Sequence, residues 1–134
     1  MQIKVVELDQ VWRLRQEILW PDRPSSFSQV TGDESAQHFG VWADGDWRAV
    51  VSIFETHEGF QLRKLGTQAS YRRRGFGREL VQHVLNWCSE KKAADVFLDA
   101  RIHQVNWYEQ GGWVKKGKPF QKYEKAYQRM IYTL

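Results

Sequence analysis

The sequence predicts a single α/β (α+β) domain spanning residues 1–134, in which a strand meander packs against helices. Three observations point there. His38 to Ala43, Trp47 to Phe54 and Phe60 to Leu65 are strand-like segments that follow one another across short turns. Leu80, Val81, Val84, Leu85 and Cys88 fall on one face of a helix. A chain of 134 residues at 42% hydrophobic content has enough apolar side chains for one packed core and too few residues for two ordinary domains.

The elements follow in order. Gln2 to Val6 alternates as a short strand does, and from Leu8 the residues Val11, Trp12, Leu14, Arg15, Ile18 and Leu19 keep a helical repeat until Pro21. Arg23 to Ala36 is rich in Pro, Ser, Gly and Asp without sustained periodicity, so it reads as a connection with at most one helical turn. Asp44-Gly45-Asp46 and His57-Glu58-Gly59 supply turn chemistry, and the simplest arrangement of the strands they join is an antiparallel meander. Beyond an arginine-rich loop comes the helix of Leu80 to Cys88, closed by the polar Glu90, Lys91 and Lys92. Asp95 to Ala100 reads as a buried strand and Gln104 to Gln110 as a short helix ended by Gly111-Gly112. From Trp113 onward two last strands are expected around a basic turn.

Composition narrows the classes of function. A formal charge of +4 and a pI near 9.3 favour an anionic partner: nucleic acid, membrane phosphate or a phosphorylated cofactor. Cys88 is the only cysteine, which excludes intramolecular disulfides and cysteine-based zinc sites and fits a reducing, cytoplasmic compartment; no metal site is expected. The opening MQIKVVELDQ has no signal-like apolar core, and no run approaches the roughly 18 apolar residues of a membrane span. A soluble protein without membrane partners is the expectation.

The chemistry concentrates in Leu65-Gly66-Thr67-Gln68-Ala69-Ser70-Tyr71-Arg72-Arg73-Arg74-Gly75-Phe76-Gly77-Arg78, between a strand and the strongest helix. A helix N-terminus carries unpaired N–H groups and partial positive charge, and glycines let that backbone approach a bulky anion. Arg72, Arg73, Arg74 and Arg78 add guanidinium forks that match phosphate oxygens. A Gly-x-Gly beside arginines is also compatible with a plain solvated turn.

In this setting the segment Arg72-Arg73-Arg74-Gly75-Phe76-Gly77 resembles the pyrophosphate loop Gln/Arg-x-x-Gly-x-Gly/Ala of the GNAT (GCN5-related) N-acetyltransferase superfamily. Downstream, Ala100-Arg101-Ile102-His103-Gln104-Val105-Asn106-Trp107-Tyr108-Glu109-Gln110-Gly111-Gly112-Trp113 looks like that family's Phe-Tyr-x-x-x-Gly-Phe segment with tryptophans for phenylalanines. The stretches His38 to Trp42 and Leu14 to Leu19 are similar to a compact bacterial branch of the family. The resemblance implies a GNAT fold, a mixed and mostly antiparallel twisted sheet with splayed parallel strands at a cofactor cleft, flanked by helices. It implies acetyl-CoA as cofactor, with pantetheine against Leu65, Gly66 and Thr67, pyrophosphate on the backbone amides from Arg73 to Arg78, and Arg72 covering its charge. An acceptor amine, small-molecule or peptide, would attack the thioester directly.

By the same likeness Tyr108 matches the tyrosine that donates to the departing sulfur in many members, with packing between helix and sheet as its other reading. The position that often carries a base holds Gln61, which cannot take a proton; Glu55, His57, Asp99 and His103 remain, and His103 lies just after the strand lining the cleft. Arg101 and Gln104 replace residues that relatives use toward pantetheine, and Asn106 is the candidate to compensate. Asp22, Asp33, Glu34 and Glu55 give a faint pointer to a cationic amine, whereas Lys115, Lys116, Lys118, Lys122, Lys125 and Arg129 read as a solvated hairpin face or an extra site for an acidic substrate or the cofactor's ribose phosphate. Two rival readings stand beside transfer: a catalytically silent CoA-binding domain, and a nucleic-acid binder stacking bases on Trp107, Trp113, Phe120, Tyr123 and Tyr127. No helix-turn-helix, RNP or zinc pattern supports the second, so nucleic acid is not the expected partner. Pairing through the last hairpin is the route by which a homodimer would form.

Overall fold

The computed structural model describes all residues from Met1 to Leu134. The elements run β1 (Gln2–Val5), α1 (Leu8–Leu19), β2 (Gln37–Ala43), β3 (Asp46–Thr56), β4 (Gly59–Thr67), α2 (Phe76–Glu90), β5 (Asp95–Arg101), α3 (Val105–Gln110), β6 (Val114–Lys115), β7 (Phe120–Lys122) and β8 (Lys125–Thr133). All the strands join one sheet in the order β1-β2-β3-β4-β5-β8-β6, with β7 also on β8. The expected meander of β2, β3 and β4 is present and antiparallel throughout. Its first turn, Asp44-Gly45, holds both residues at positive φ, the backbone that a tight hairpin requires.

Side-chain alternation along β3, buried from Ala49 to Phe54, sorts the two helical layers. Ala49, Val51 and Ile53 join the apolar face of α2 in the main core, while Val50 meets Val11 and Leu14 of α1 on the opposite face. The helices therefore cover both faces of the meander, and α2 buries Leu80, Val81, Val84, Leu85 and Cys88 as its periodicity predicts.

Two features of β4 open the sheet. Opposite Val51, β4 places two residues, Lys64 and Leu65, where one would pair; Lys64 takes φ +59, and the strand is bulged. On its other side β4 pairs in parallel with β5 only at Phe60 and Gln61, against Val96 and Phe97. From Leu62 onward the two strands part, and the gap runs out toward the loop that precedes α2. This is the splayed pair that the family resemblance implies.

Three details depart from the expectation. The Arg23 to Ala36 connection contains two short 3-10 turns, Ser25–Ser28 and Asp33–Ser35. Arg15, placed in the apolar repeat of the first helix, is fully buried but charged: its guanidinium makes a bidentate pair with Asp33 at 2.8 and 2.9 Å and donates to Ser52 and the Ser28 carbonyl. After Trp113 there are three strands where two were expected, because Gly117 and the residues around it separate β6 from β7 and both pair with β8.

Candidate active site

The loop before α2 is built around two left-handed residues, Arg73 at φ +64 and Gly75 at φ +83, with Gly75 as the residue that caps the helix. Glycine adopts this backbone freely, and the resulting turn aims successive N–H groups outward. None of the N–H groups from Arg73 to Arg78 donates within the protein; the ladder of α2 begins at Glu79, whose N–H meets the Gly75 carbonyl at 3.0 Å. Six adjacent donors, partial positive charge from the helix, and nearby guanidinium groups make an anion seat.

That seat opens onto a cleft of about 620 Å³ at the splay between β4 and β5. Leu65, Gly66 and Thr67 form its strand wall; Arg72, Arg73, Gly75, Phe76, Gly77 and Arg78 form its loop wall. His103, Gln104, Trp107 and Tyr108 close the opposite side. Gly66 is required by close approach, since a Cβ there would lie 2.8 Å from Leu19 Cδ2 and from Ile18 Cγ2. The end of α1 thus lies over the strand wall and lines the cleft with it.

The structure distributes the arginines differently from their sequence grouping. Arg72 is exposed at the cleft and donates from Nε to the Thr67 carbonyl at 3.3 Å. Arg74 does not line the cleft: its guanidinium lies 4.5 Å from the centroid of the Tyr71 ring, which Arg48 also approaches at 4.4 Å. Arg78 lines the cleft but turns its head to α3, donating to the Trp107 carbonyl at 3.0 Å. Asn106 is exposed on α3 and outside the cleft. Tyr71, Trp107, Ile18 and Leu19 also line the cleft; they lie in the segments that carry the family likeness or in the loop, but the sequence alone assigns them no cofactor role.

Tyr108 stands at a junction. It lines the first cleft and also a second one of about 450 Å³, and Leu19, Leu65, His103 and Gln104 are shared in the same way. The second cleft lies between β4, β5 and the β7–β8 hairpin, with Gln61 and Asp99 in its wall. Burial pushes the Tyr108 phenol up to about 12, with the Arg78 charge opposing the shift, so the phenol is protonated at every physiological pH. Of Glu55, His57, Asp99 and His103, only His103 lines both clefts. Asp99 is engaged by Arg129 at 2.9 and 3.2 Å, and Glu55 and His57 line a neighbouring depression that shares Gln61 and Arg63 with the second cleft. Trp113 is buried in the core, which removes it from any base-stacking surface.

A sheet split beside an anion seat at a helix N-terminus is a geometry suited to a phosphorylated ligand. The family model described as acetyltransferase (GNAT) domain matches residues 16–134, and the chain belongs to that family. The fold is similar to that of a provisionally named N-acetyltransferase from Lactobacillus plantarum, with a TM-score of 0.86 and 14% identity over 100% of this chain and 99% of the other. It is also similar to a Bacillus subtilis acetyltransferase in complex with CoA, with a TM-score of 0.76 and 16% identity over 99% and 98% of the two chains. An aminoglycoside 6'-N-acetyltransferase complexed with coenzyme A shares the fold at a TM-score of 0.80 and 15% identity, over 99% and 97%. No curated protein matches by sequence. No helix is long and apolar enough to cross a membrane.

Proposed function

We propose that this chain transfers the acetyl group of acetyl-CoA to a primary amine. The observation that carries the reading is the row of six N–H groups, Arg73 to Arg78, without an acceptor in the protein, on a loop of which every residue but Arg74 lines the cleft. These donors would take the cofactor's pyrophosphate, Arg72 and Arg73 would offset its charge, and the freed edge of β4 at Leu65 to Thr67 would pair with the amide-bearing arm. Acetyl-CoA supplies, when bound, an activated thioester that an amine attacks directly.

The residues at the junction then divide the proton work. An N–C bond forms as the C–S bond breaks; His103 takes the amine's proton, directly or through a water, and the Tyr108 phenol gives a proton to the sulfur. Tyr108 is suited to donation because burial keeps it protonated, and its position between the two clefts puts it where both reactants would meet. The amine enters from the second cleft, on the side opposite the anion seat.

The test has two parts. Acetyl-CoA should raise the melting temperature of the protein, and the increase should fall in a Gly75→Pro variant of the seat. Thiol release from acetyl-CoA should then depend on an added primary amine. Absence of both the thermal shift and thiol release across a broad amine panel would overturn the reading; a thermal shift without release would leave a silent CoA-binding domain, the reading that Gln61 in the wall favours.

A further inference from the structure

The second cleft has an unusual charge. Arg63, Lys64, Arg101, Lys122 and Lys125 line it, and none of the five pairs with a carboxylate. Asp99 is the only acidic residue in its wall, and Arg129 holds that carboxylate from the other side, at 2.9 Å through Nε. The acids that the sequence brought forward for a cationic amine lie elsewhere: Asp33 is buried against Arg15, and Asp22, Glu34 and Glu55 do not line the cleft. A cation entering here would meet five like charges and no free counter-ion.

Arg63, Lys64 and Arg101 are held against aromatic rings, whereas Lys122 and Lys125 are exposed at the hairpin. Arg63 stacks over Phe54 at 5.1 Å, Lys64 over Trp20 at 4.9 Å, and Arg101 over Tyr127 at 5.9 Å. Burial and then the neighbouring charges of Arg63, Arg15 and Lys122 bring the Lys64 ammonium down to about 8. Gathered positive charge that raises its own energy in this way is relieved by an anion.

Building on the proposed transfer, we infer that the second cleft admits an amine that itself carries an anionic group, a carboxylate or a phosphate on a small molecule, with Arg63, Lys64, Arg101, Lys122 and Lys125 as its counter-charges. A volume of about 450 Å³ suits a small metabolite rather than a folded macromolecule. The amine points toward Tyr108 and His103, and the anionic end rests among the cations of the bulged strand and the hairpin.

Matched amines read the inference: β-alanine against β-alaninamide for the carboxylate source, O-phosphoethanolamine against ethanolamine for the phosphate source, and spermidine as a cation. At least one anionic member should show kcat/KM about 10-fold or more above its neutral partner, with the gap narrowing at high salt. The exposed double variant Lys122→Glu, Lys125→Glu should lose that preference while acetyl-CoA still raises its melting temperature. Binding is followed separately with succinate and inorganic phosphate, with and without saturating CoA. One of them should stabilise the native chain and not the double variant, and at pH 8.5 its binding should take up a proton that Lys64→Met abolishes, since a nearby anion favours the charged lysine. Anion binding without turnover would uphold the cleft's selectivity while removing the transferase reading. Equal or better use of neutral amines or spermidine, or equal stabilisation of native and variant protein by the anions, would overturn the inference.

Discussion

The Arg78 guanidinium lies 4.0 Å from the Trp107 ring centroid and donates through Nη2 to the Trp107 carbonyl at 3.0 Å. The first turn of α2, which forms the anion seat, is thereby tied to α3, which carries Tyr108. The position of Tyr108, the proposed proton donor, thus depends on the same helix that positions the proposed cofactor loop. Replacing Arg78 with Ala should lower kcat about 10-fold, as expected when a catalytic group loses its support. Arg78→Lys should restore little, because an ammonium cannot both stack flat and donate along the fork; recovery by Lys would instead mark Arg78 as a simple counter-charge to phosphate.

Tyr108→Phe should lower turnover about 10- to 100-fold and leave the acetyl-CoA Kd within about 2-fold. The raised phenol also bears on stability. Its folded value near 12 exceeds the ordinary value of 10.0, so the native state holds the proton more tightly, and the benefit is present below pH 10 and lost as pH rises through 12. Urea unfolding at pH 9 to 11 should show the native chain losing stability more steeply than the Phe variant.

At Gly75 the cost of a side chain is conformational. No atom lies within 4 Å of the position a Cβ would take, yet φ is +83. Gly75→Ala should destabilise the protein by about 1 kcal/mol in chemical denaturation, the penalty of a left-handed backbone for an L residue. It should also weaken CoA binding, because relaxation of the turn redirects the N–H groups on either side.

The buried pair of Arg15 and Asp33 makes stability depend on pH at the acid end. Burial alone would raise the Asp33 carboxyl, but hydrogen bonds from Arg15, Trp12 and the Val30 N–H, with the Arg15 charge, outweigh it and hold the group below its ordinary value of 3.8. A depressed carboxyl contributes stability that is complete above the unfolded value and is lost as pH falls through the folded one. Asp33→Asn should cost about 3–5 kcal/mol at neutral pH, since it strands a buried guanidinium. Equilibrium unfolding of that variant should show a shallower further loss below pH 4 than the native chain does.

Much of this was legible along the chain. Strand alternation, the Asp44-Gly45 turn, the apolar face of α2 and the Gly75-Phe76-Gly77 loop all appear where their residue patterns put them. Each rests on sterics and hydrogen bonding within a few neighbours, which a single sequence displays. The division of the last strands was less readable, because β6 is two residues long and exists only through its pairing with β8.

What only the tertiary structure decided is where charge goes. Arg15 kept the helical repeat yet meets Asp33 and Ser52, 18 and 37 residues away, and Arg78 sat among the loop arginines yet reaches Trp107, 29 residues on. The basic second cleft likewise collects Arg63 and Lys64 from β4, Arg101 from the end of β5, and Lys122 and Lys125 from the hairpin. Composition and local pattern determined that the chain is basic and that a glycine- and arginine-rich turn leads into α2. The partner of each charge was set by the sheet order and the bulge of β4, because Coulomb attraction and burial depend on distance through space, and distance through space is fixed only when the whole chain packs.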